Sequence, residues 1–322
     1  MTTPSNNITF SIAIPAYKAV FLHDCIESIL KQSYPFFELI IINDNSPHDL
    51  DSIVDSFDDD RIQYYTNDIG FGEYNVSRNW DECLKHAKGD YFLCLGDDDR
   101  LLPNCLESYS RLITDYPDCK VFHIRTQIID EHSNVYNLQE ARPPIESALS
   151  MIWHRWCAGG RRSWIGDYLF DTGSLKEIGG FIWFPYAWGT EEATVYQLAS
   201  IAGIANSQDF GFQYRVNRQS ITFSTANLVG KADSFIPYRD WFRQFLSKCP
   251  DSESSDPIYR SIIINRFDSY FSDSICMVIR DDVRYNHFRH SYYWIRNRKK
   301  YRLSLKQVIK SQLVGLRQLL RR

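Results

Sequence analysis

Three consecutive carboxylates, Asp97, Asp98 and Asp99, close the apolar run Tyr91-Phe92-Leu93-Cys94-Leu95, with only Gly96 between. Adjacent aspartates repel one another unless a cation lies among them. Mg²⁺ or Mn²⁺ takes hard oxygen ligands, commonly one or two from protein and the rest from phosphate and water. The bland alternative is a solvated acidic turn ahead of a helix predicted over Leu106–Tyr116. A second pair of carboxylates, Glu191 and Glu192, follows Trp188-Gly189-Thr190. Thr190 reads as the cap of a helix running to Ala202, whose first turn favours acidic groups in any case. Gly159-Gly160-Arg161-Arg162 can grip phosphate or be a solvated basic turn.

The elements that must position these groups follow from periodicity. Tyr91–Leu95 is too short for an ordinary helix and reads as a buried strand of a parallel sheet. Ile8–Ile14 is a strand running into Pro15-Ala16-Tyr17-Lys18, and Phe21–Gln32 is an amphipathic helix carrying Leu22, Cys25, Ile26, Ile29 and Leu30. Leu39–Ile42 is a second buried strand, ending in Asn43-Asp44-Asn45-Ser46. A helix over 49–57, a strand over 61–66 and a helix over 74–88 complete an alternation that predicts a Rossmann-like, mostly parallel α/β sheet. Ligands of such sheets bind at the carboxyl ends of the strands, where Tyr17, Asp44 and Asp97–Asp99 fall. An aromatic ring can stack on a base, and a carboxylate can accept from a base N–H or a ribose hydroxyl. Singly, Tyr17 is as well a packed surface ring and Asp44 a turn cap. GxGxxG and Walker A patterns are both missing, which disfavours a dehydrogenase and a P-loop NTPase. Farther on, Lys120–Ile129 is a strand whose alternation buries one face, and 130–160 carries Pro143-Pro144, Trp153 and Trp156.

Five stretches in order resemble the successive motifs of family-2 glycosyltransferases with the glycosyltransferase-A fold. They are Ser11-Ile-Ala-Ile-Pro-Ala-Tyr-Lys18, Cys25-Ile-Glu-Ser-Ile-Leu-Lys-Gln-Ser33, Glu38-Leu-Ile-Ile-Ile-Asn-Asp-Asn-Ser46, Ser77-Arg-Asn79 and Gly89 through Pro103. The resemblance implies a nucleotide-sugar donor, a UDP-sugar before others, a divalent Mn²⁺ or Mg²⁺, and transfer with inversion at the anomeric carbon. It further implies that Pro15, Ala16, Tyr17 and Asp44 hold the nucleotide, that Arg78 and Asn79 line the donor pocket, that Asp97 lies near ribose or sugar, and that Asp98 ligates the metal. Inversion by single displacement needs a carboxylate to take the acceptor hydroxyl's proton, and the family places it in this acidic motif, where Glu191 is the expected base and Glu192 the reserve. Phe212 to Ser220 resembles the strand and loop where relatives carry Tyr-Arg-x-His. Here Asn217 stands for the metal-binding His, and Arg215 and Arg218 are expected at the diphosphate. Gly96 stands where relatives carry the first Asp of Asp-x-Asp-Asp.

Composition bounds the rest. The chain has 322 residues, 44% of them hydrophobic and 15% aromatic, enough for one large elaborated core. Eight Cys without a CxxC pair read as buried reduced thiols. Residues 1–10 suggest no secretory leader, and no apolar run reaches transmembrane length. The net charge of −4 hides an asymmetry: residues 284–322 hold twelve Lys or Arg and no Asp or Glu. Within them Leu305, Val308, Ile309, Leu313, Leu316 and Leu320 form one expected apolar face of a basic helix, suited to an anionic membrane surface. No recognition motif accompanies the charge, so nucleic acid is not an expected partner. The expected division is a glycosyltransferase-A catalytic domain over 1–230, with a nucleotide half (1–103) and an acceptor half (104–230), and a helical extension over 231–322. The expected enzyme is cytoplasmic, peripheral on the inner face of the membrane, and acts on a saccharide or polyprenyl-linked saccharide acceptor in surface polysaccharide assembly. A second copy of the chain is a further candidate partner. Two rivals stay open: a catalytically silent sugar-nucleotide-binding or scaffold protein, and a sugar-1-phosphate nucleotidyltransferase, whose Gly-rich first loop is missing after Ile14.

Overall fold

The computed structural model describes residues 7–217 and 227–320. Strand β1 (Phe10–Ala16) is buried along almost its whole length because it is flanked on both sides by parallel partners, β2 (Phe37–Asn43) and β4 (Tyr91–Cys94). Helices α1 (Leu22–Leu30), α2 (Asp51–Val54) and α3 (Val76–His86) connect these strands and β3 (Ile62–Thr66). The order β3-β2-β1-β4 reverses direction at β1, so the crevice between the ends of β1 and β4 is the topological switch point. The β1–β4 ladder stops at Ala13 and Cys94. Pro15 lies past that last pair, where its missing N–H leaves no rung unmade.

Beyond β4 the sheet becomes mixed. The strands β5 (Arg100–Leu101), β6 (Val121–Ile129), β7 (Val135–Leu138), β8 (Ile145–Glu146), β9 (Tyr168–Asp171) and β10 (Ile204–Arg215) complete it. β9 runs antiparallel between β4 and β6, and β10 runs parallel to β6. Helices α4 (Cys105–Asp115), α5 (Ala148–Trp156), α6 (Thr172–Glu177) and α7 (Thr190–Ala202) lie among these strands in sequence. The expected one-sided burial of β6 is corrected at His123, which is fully buried and hydrogen-bonds Gln139 through Nε2 at 3.0 Å. The segment after β7 folds back and covers that face. All eight cysteines are free thiols, six of them buried.

Four further helices follow: α8 (Leu228–Lys248), α9 (Asp256–Asn286), α10 (Ser291–Asn297) and α11 (Leu305–Leu319). They share a core with the sheet. One apolar cluster runs from Ala13, Ile40 and Phe92 through Tyr196 of α7 to Phe242, Phe271 and Trp294. Trp156 of α5 joins it, stacked at 3.9 Å on Tyr270 of α9 and packed on Phe242 of α8.

The expected single apolar face of α11 is also corrected. Val308, Ser311, Gln312 and Gly315 are the buried residues, whereas Leu305, Ile309, Leu313 and Leu320 are exposed. The reason is steric: small residues let α11 approach α9 so closely that a Cβ on Gly315 would lie 2.5 Å from the Arg280 carbonyl oxygen. The leucines are left outside. Gly315→Leu is therefore expected to overpack this joint and destabilise the fold by about 1–3 kcal/mol, measured by urea unfolding, while Leu313→Ala leaves stability nearly unchanged.

Candidate active site

The acidic loop after β4 is neutralised by contacts from two sides of the crevice. Asp97 Oδ2 accepts the backbone N–H groups of Tyr17 and Lys18 at 2.8 and 2.7 Å. Lys18 Nζ lies 3.1 Å from Asp97 Oδ1 and 2.6 Å from Asp98 Oδ2, which also accepts the Asn217 amide at 2.7 Å. Asp99 Oδ1 accepts the Arg215 N–H at 2.8 Å. Burial raises the pKa of Asp97, against the pull of Lys18, and raises that of Asp99 further; Asp98 adds to both. Burial opposes the Lys18 charge, yet Asp97 and Asp98 win and hold its pKa above the ordinary lysine value. The packing also explains Gly96: a Cβ there would stand 2.9 Å from Asp99 Oδ2 and 3.1 Å from Asp98 Oδ1.

Around this loop the nucleotide-side residues take different parts. Tyr17 is 47% exposed at the mouth of the crevice, so a ring face is open to stacking. Asp44 is buried, and its oxygens accept Asn67 Nδ2 and Phe71 N at 2.9 Å and Gly72 N at 3.3 Å. It builds the 67–72 loop, and Asn79 joins by accepting from Asn67 at 3.1 Å. Arg78, half exposed, sits 5.4 Å from the Trp183 ring centroid. Tyr74 meets Trp183 and Tyr186 edge-on. Tyr186 and Ala187 hold φ of 59° and 53°, a left-handed conformation unusual for side-chain-bearing residues.

That strained turn leads into the second acidic pair. Gly189, at φ 92°, takes the cap position expected of Thr190, which is the first helical residue; the Thr190 hydroxyl accepts from Phe184 N instead. Glu192 is buried and fully engaged: Arg155 Nε and Nη2 reach Oε1 at 2.8 and 2.7 Å, and the Tyr238 hydroxyl donates to Oε2 at 2.7 Å. Glu191, one residue earlier, has no side-chain hydrogen bond among the described residues. Burial, with Glu192 and Asp167 adding, pushes its pKa up to about 8. Asp167 is pushed up to about 7 by burial, against the pull of Arg142 and Gln139.

Of the expected basic contacts, Arg215 and Arg161 are engaged by protein partners. Arg215 is buried at 1% exposure, and its guanidinium donates to Asp98 O, Asp130 O, Ser133 Oγ and Asp24 Oδ2. It straps the acidic loop to β10, so its guanidinium is already committed to protein partners. Arg161 is paired with both oxygens of Glu146 at 2.7 and 2.8 Å. Arg162 is exposed, and its carbonyl accepts from Gln139 and Arg142. Arg218 lies outside the described residues. Sequence reasoning gave no role to Lys18, Arg155 or Tyr238; only Lys18, inside the first motif, carried any signal.

Among the described residues no group of three or more His, Cys, Asp or Glu could by itself hold a metal. Asp98 keeps Oδ1 outside its hydrogen bonds to Lys18 and Asn217. One carboxylate with phosphate oxygens is an ordinary Mg²⁺ or Mn²⁺ arrangement, so these residues fit a cation completed by a diphosphate and not a preformed protein cage. Truncating Arg155 to Ala leaves Glu192 buried without its cation and is expected to cost about 3 kcal/mol in chemical denaturation. Arg155→Ala combined with Glu192→Gln should recover part of that loss.

The family described as "Glycosyl transferase family 2" matches residues 11–174. The Campylobacter jejuni protein named GalNAc(5)-diNAcBac-PP-undecaprenol beta-1,3-glucosyltransferase is 35% identical over 101 residues, 30% of this chain and 32% of that protein. Across the curated relatives first matched, the chain spans about half of their length or less. Residues 1–349 of S. aureus TarS in complex with UDP-GlcNAc superpose with a TM-score of 0.65 at 13% identity, over 95% of this chain and 89% of that one. The mannosyltransferase PcManGT from Pyrobaculum calidifontis, in complex with GDP-Man and Mn²⁺, gives 0.57 at 13% identity over 98% and 88%. These likenesses extend the glycosyltransferase-A fold through the C-terminal helices, and the matched motifs establish that the chain belongs to glycosyl transferase family 2.

Proposed function

We propose that the chain transfers a sugar with inversion from a UDP-sugar to a saccharide or polyprenyl-linked saccharide, in assembly of a surface polysaccharide. The observation that carries this reading is the acidic loop at the switch point, with Asp98 Oδ1 left open beside the exposed Tyr17 ring. The UDP-GlcNAc and GDP-Man complexes of structural neighbours, and the undecaprenol-linked substrate in the Campylobacter protein's name, support the donor and acceptor classes.

In this reading Tyr17 stacks on the base, with Pro15 and Ala16 forming the strand end behind it. Asp44 shapes the loop beside the nucleotide, and Arg78 reaches the donor's sugar-diphosphate. Asp97 fixes the loop after β1 against the loop after β4. Asp98, with the Asn217 amide turned to present its oxygen, would hold Mn²⁺ or Mg²⁺; when bound, that cation stabilises charge on the departing nucleoside diphosphate. Glu191 takes the proton from the acceptor hydroxyl as the new glycosidic bond forms. Glu192, saturated by Arg155 and Tyr238, keeps the turn in place. A base must be ionised, and Glu191 ionises near pH 8, so its active fraction grows as pH rises through that value. Donor turnover with Mn²⁺ is expected to rise to a plateau above about pH 8. Asp98→Ala and Glu191→Gln should each lower turnover by at least about a hundredfold, with UDP binding kept only in Glu191→Gln. Full activity in Glu191→Gln would transfer the role elsewhere.

The location proposed is the inner face of the cytoplasmic membrane. No helix among the described residues is long and apolar enough to cross a membrane. α11 instead exposes Leu305, Ile309 and Leu313 beside Lys306, Lys310 and Arg317. Basic groups near an anionic surface contribute about 1 kcal/mol each, and the apolar stripe adds its own burial. The full chain should sediment with anionic vesicles and not with zwitterionic ones, and Ile309→Glu with Leu313→Glu should release most of it. A wild-type dimer that these substitutions split, without vesicle binding, would make the stripe a contact between copies of the chain.

A further inference from the structure

Lys18 is not accounted for by the reading above. Its backbone N–H holds Asp97 at 2.7 Å, so the start of its side chain is fixed beside the acidic loop. Its ammonium lies 2.6 Å from Asp98 and 3.1 Å from Asp97, and the side chain is 23% exposed. A divalent ion ligated by Asp98 would meet this fixed positive charge at close range, inside a partly dry crevice where like charges are poorly screened. One carboxylate cannot outweigh both that repulsion and the loss of the ammonium's own two contacts. A diphosphate can, because it brings at least two negative charges to the same place.

We propose that Lys18 is the resident counter-cation of the acidic loop, which withholds Asp98 from free metal until a nucleoside diphosphate arrives with it. On loading, the ammonium gives up Asp98, and its flexible stem lets it turn toward the phosphates. Metal and donor thereby become a single loading event, and free Mn²⁺ does not occupy the enzyme unproductively. The inference rests on the assignment of Asp98 as the metal ligand.

The test measures Mn²⁺ affinity of the full chain without nucleotide, by the electron paramagnetic resonance signal of unbound Mn²⁺, and then with UDP. Lys18→Met removes the charge. Lys18→Gln also removes it but keeps a side-chain donor for Asp97 and Asp98, and serves if the Met variant unfolds. Removal of the charge is expected to tighten nucleotide-free Mn²⁺ binding at least tenfold and to shrink the gain that UDP gives. Asp98→Asn in the same background should abolish the tightened binding. Unchanged or weaker affinity in a folded variant, with Asp98→Asn still destroying the Mn²⁺–UDP complex, overturns the role of Lys18 and leaves the metal ligand standing. If Asp98→Asn changes neither measurement, the metal assignment itself falls and takes the inference with it.

Discussion

Three like charges at the end of a buried strand cannot be left uncompensated, and much of the site follows from how this chain compensates them. The compensation comes from different parts of the sequence. The loop after β1 gives Asp97 two N–H groups and gives Asp98 an ammonium; the end of β10 gives Asp99 a backbone N–H and Asp98 an amide. Arg215 then ties the Asp98 carbonyl to Asp24 of α1 and to the turn after β6. A buried arginine with four of its five N–H groups bonded is costly to disturb, because removing it strands several acceptors at once. The acidic loop is therefore held in one shape before any ligand arrives, and preorganisation of this kind lowers the reorganisation needed during reaction.

The second acidic pair depends on the C-terminal helices in the same way. Glu192 is held by Arg155 of α5 and Tyr238 of α8, while Tyr270 of α9 and Trp156 of α5 stack beside them. Remove α8 and α9, and Glu192 loses a donor and part of the apolar wall around it. This segment, which a sequence reader would set aside as an appendage, builds part of the surroundings of the second acidic pair. The close fit of Gly189 against the Tyr238 ring, 2.8 Å from where a Cβ would lie, ties the strained turn at Tyr186 and Ala187 to the same helix.

What was legible in the chain was local. Periodicity placed the first four strands and their helices, because each element buries a face whose spacing is printed in its own residues. The carboxylates were legible because three adjacent charges need an explanation wherever they occur. Partner choice was not. Arg215 looks like a phosphate ligand in Tyr214-Arg215-Val216-Asn217, and nothing nearby reveals that its carboxylate partner is Asp24, 191 positions away. α11 misleads for a different reason. Its leucines mark an apolar stripe correctly, but the docking face is chosen by backbone approach, for which Ser311 and Gly315 serve better than leucine. Hydrophobicity reads burial well only where packing distance is not the limiting quantity.

Glu191 and Glu192 show how far a single step along a helix can separate two identical side chains. Successive positions point about 100° apart, so one carboxylate meets the arginine and tyrosine of the core while its neighbour bonds neither. Glu192, with a cation and a phenol on its oxygens, has three of its roughly four lone-pair sites already taken. Glu191 has burial without donors, which is what raises a carboxyl pKa and what leaves its oxygens available. Adjacent acids whose surroundings differ this much suit different tasks, and the proposed division gives structure to Glu192 and proton transfer to Glu191. The structural acid also sharpens the other, because Glu192 is among the causes that lift Glu191.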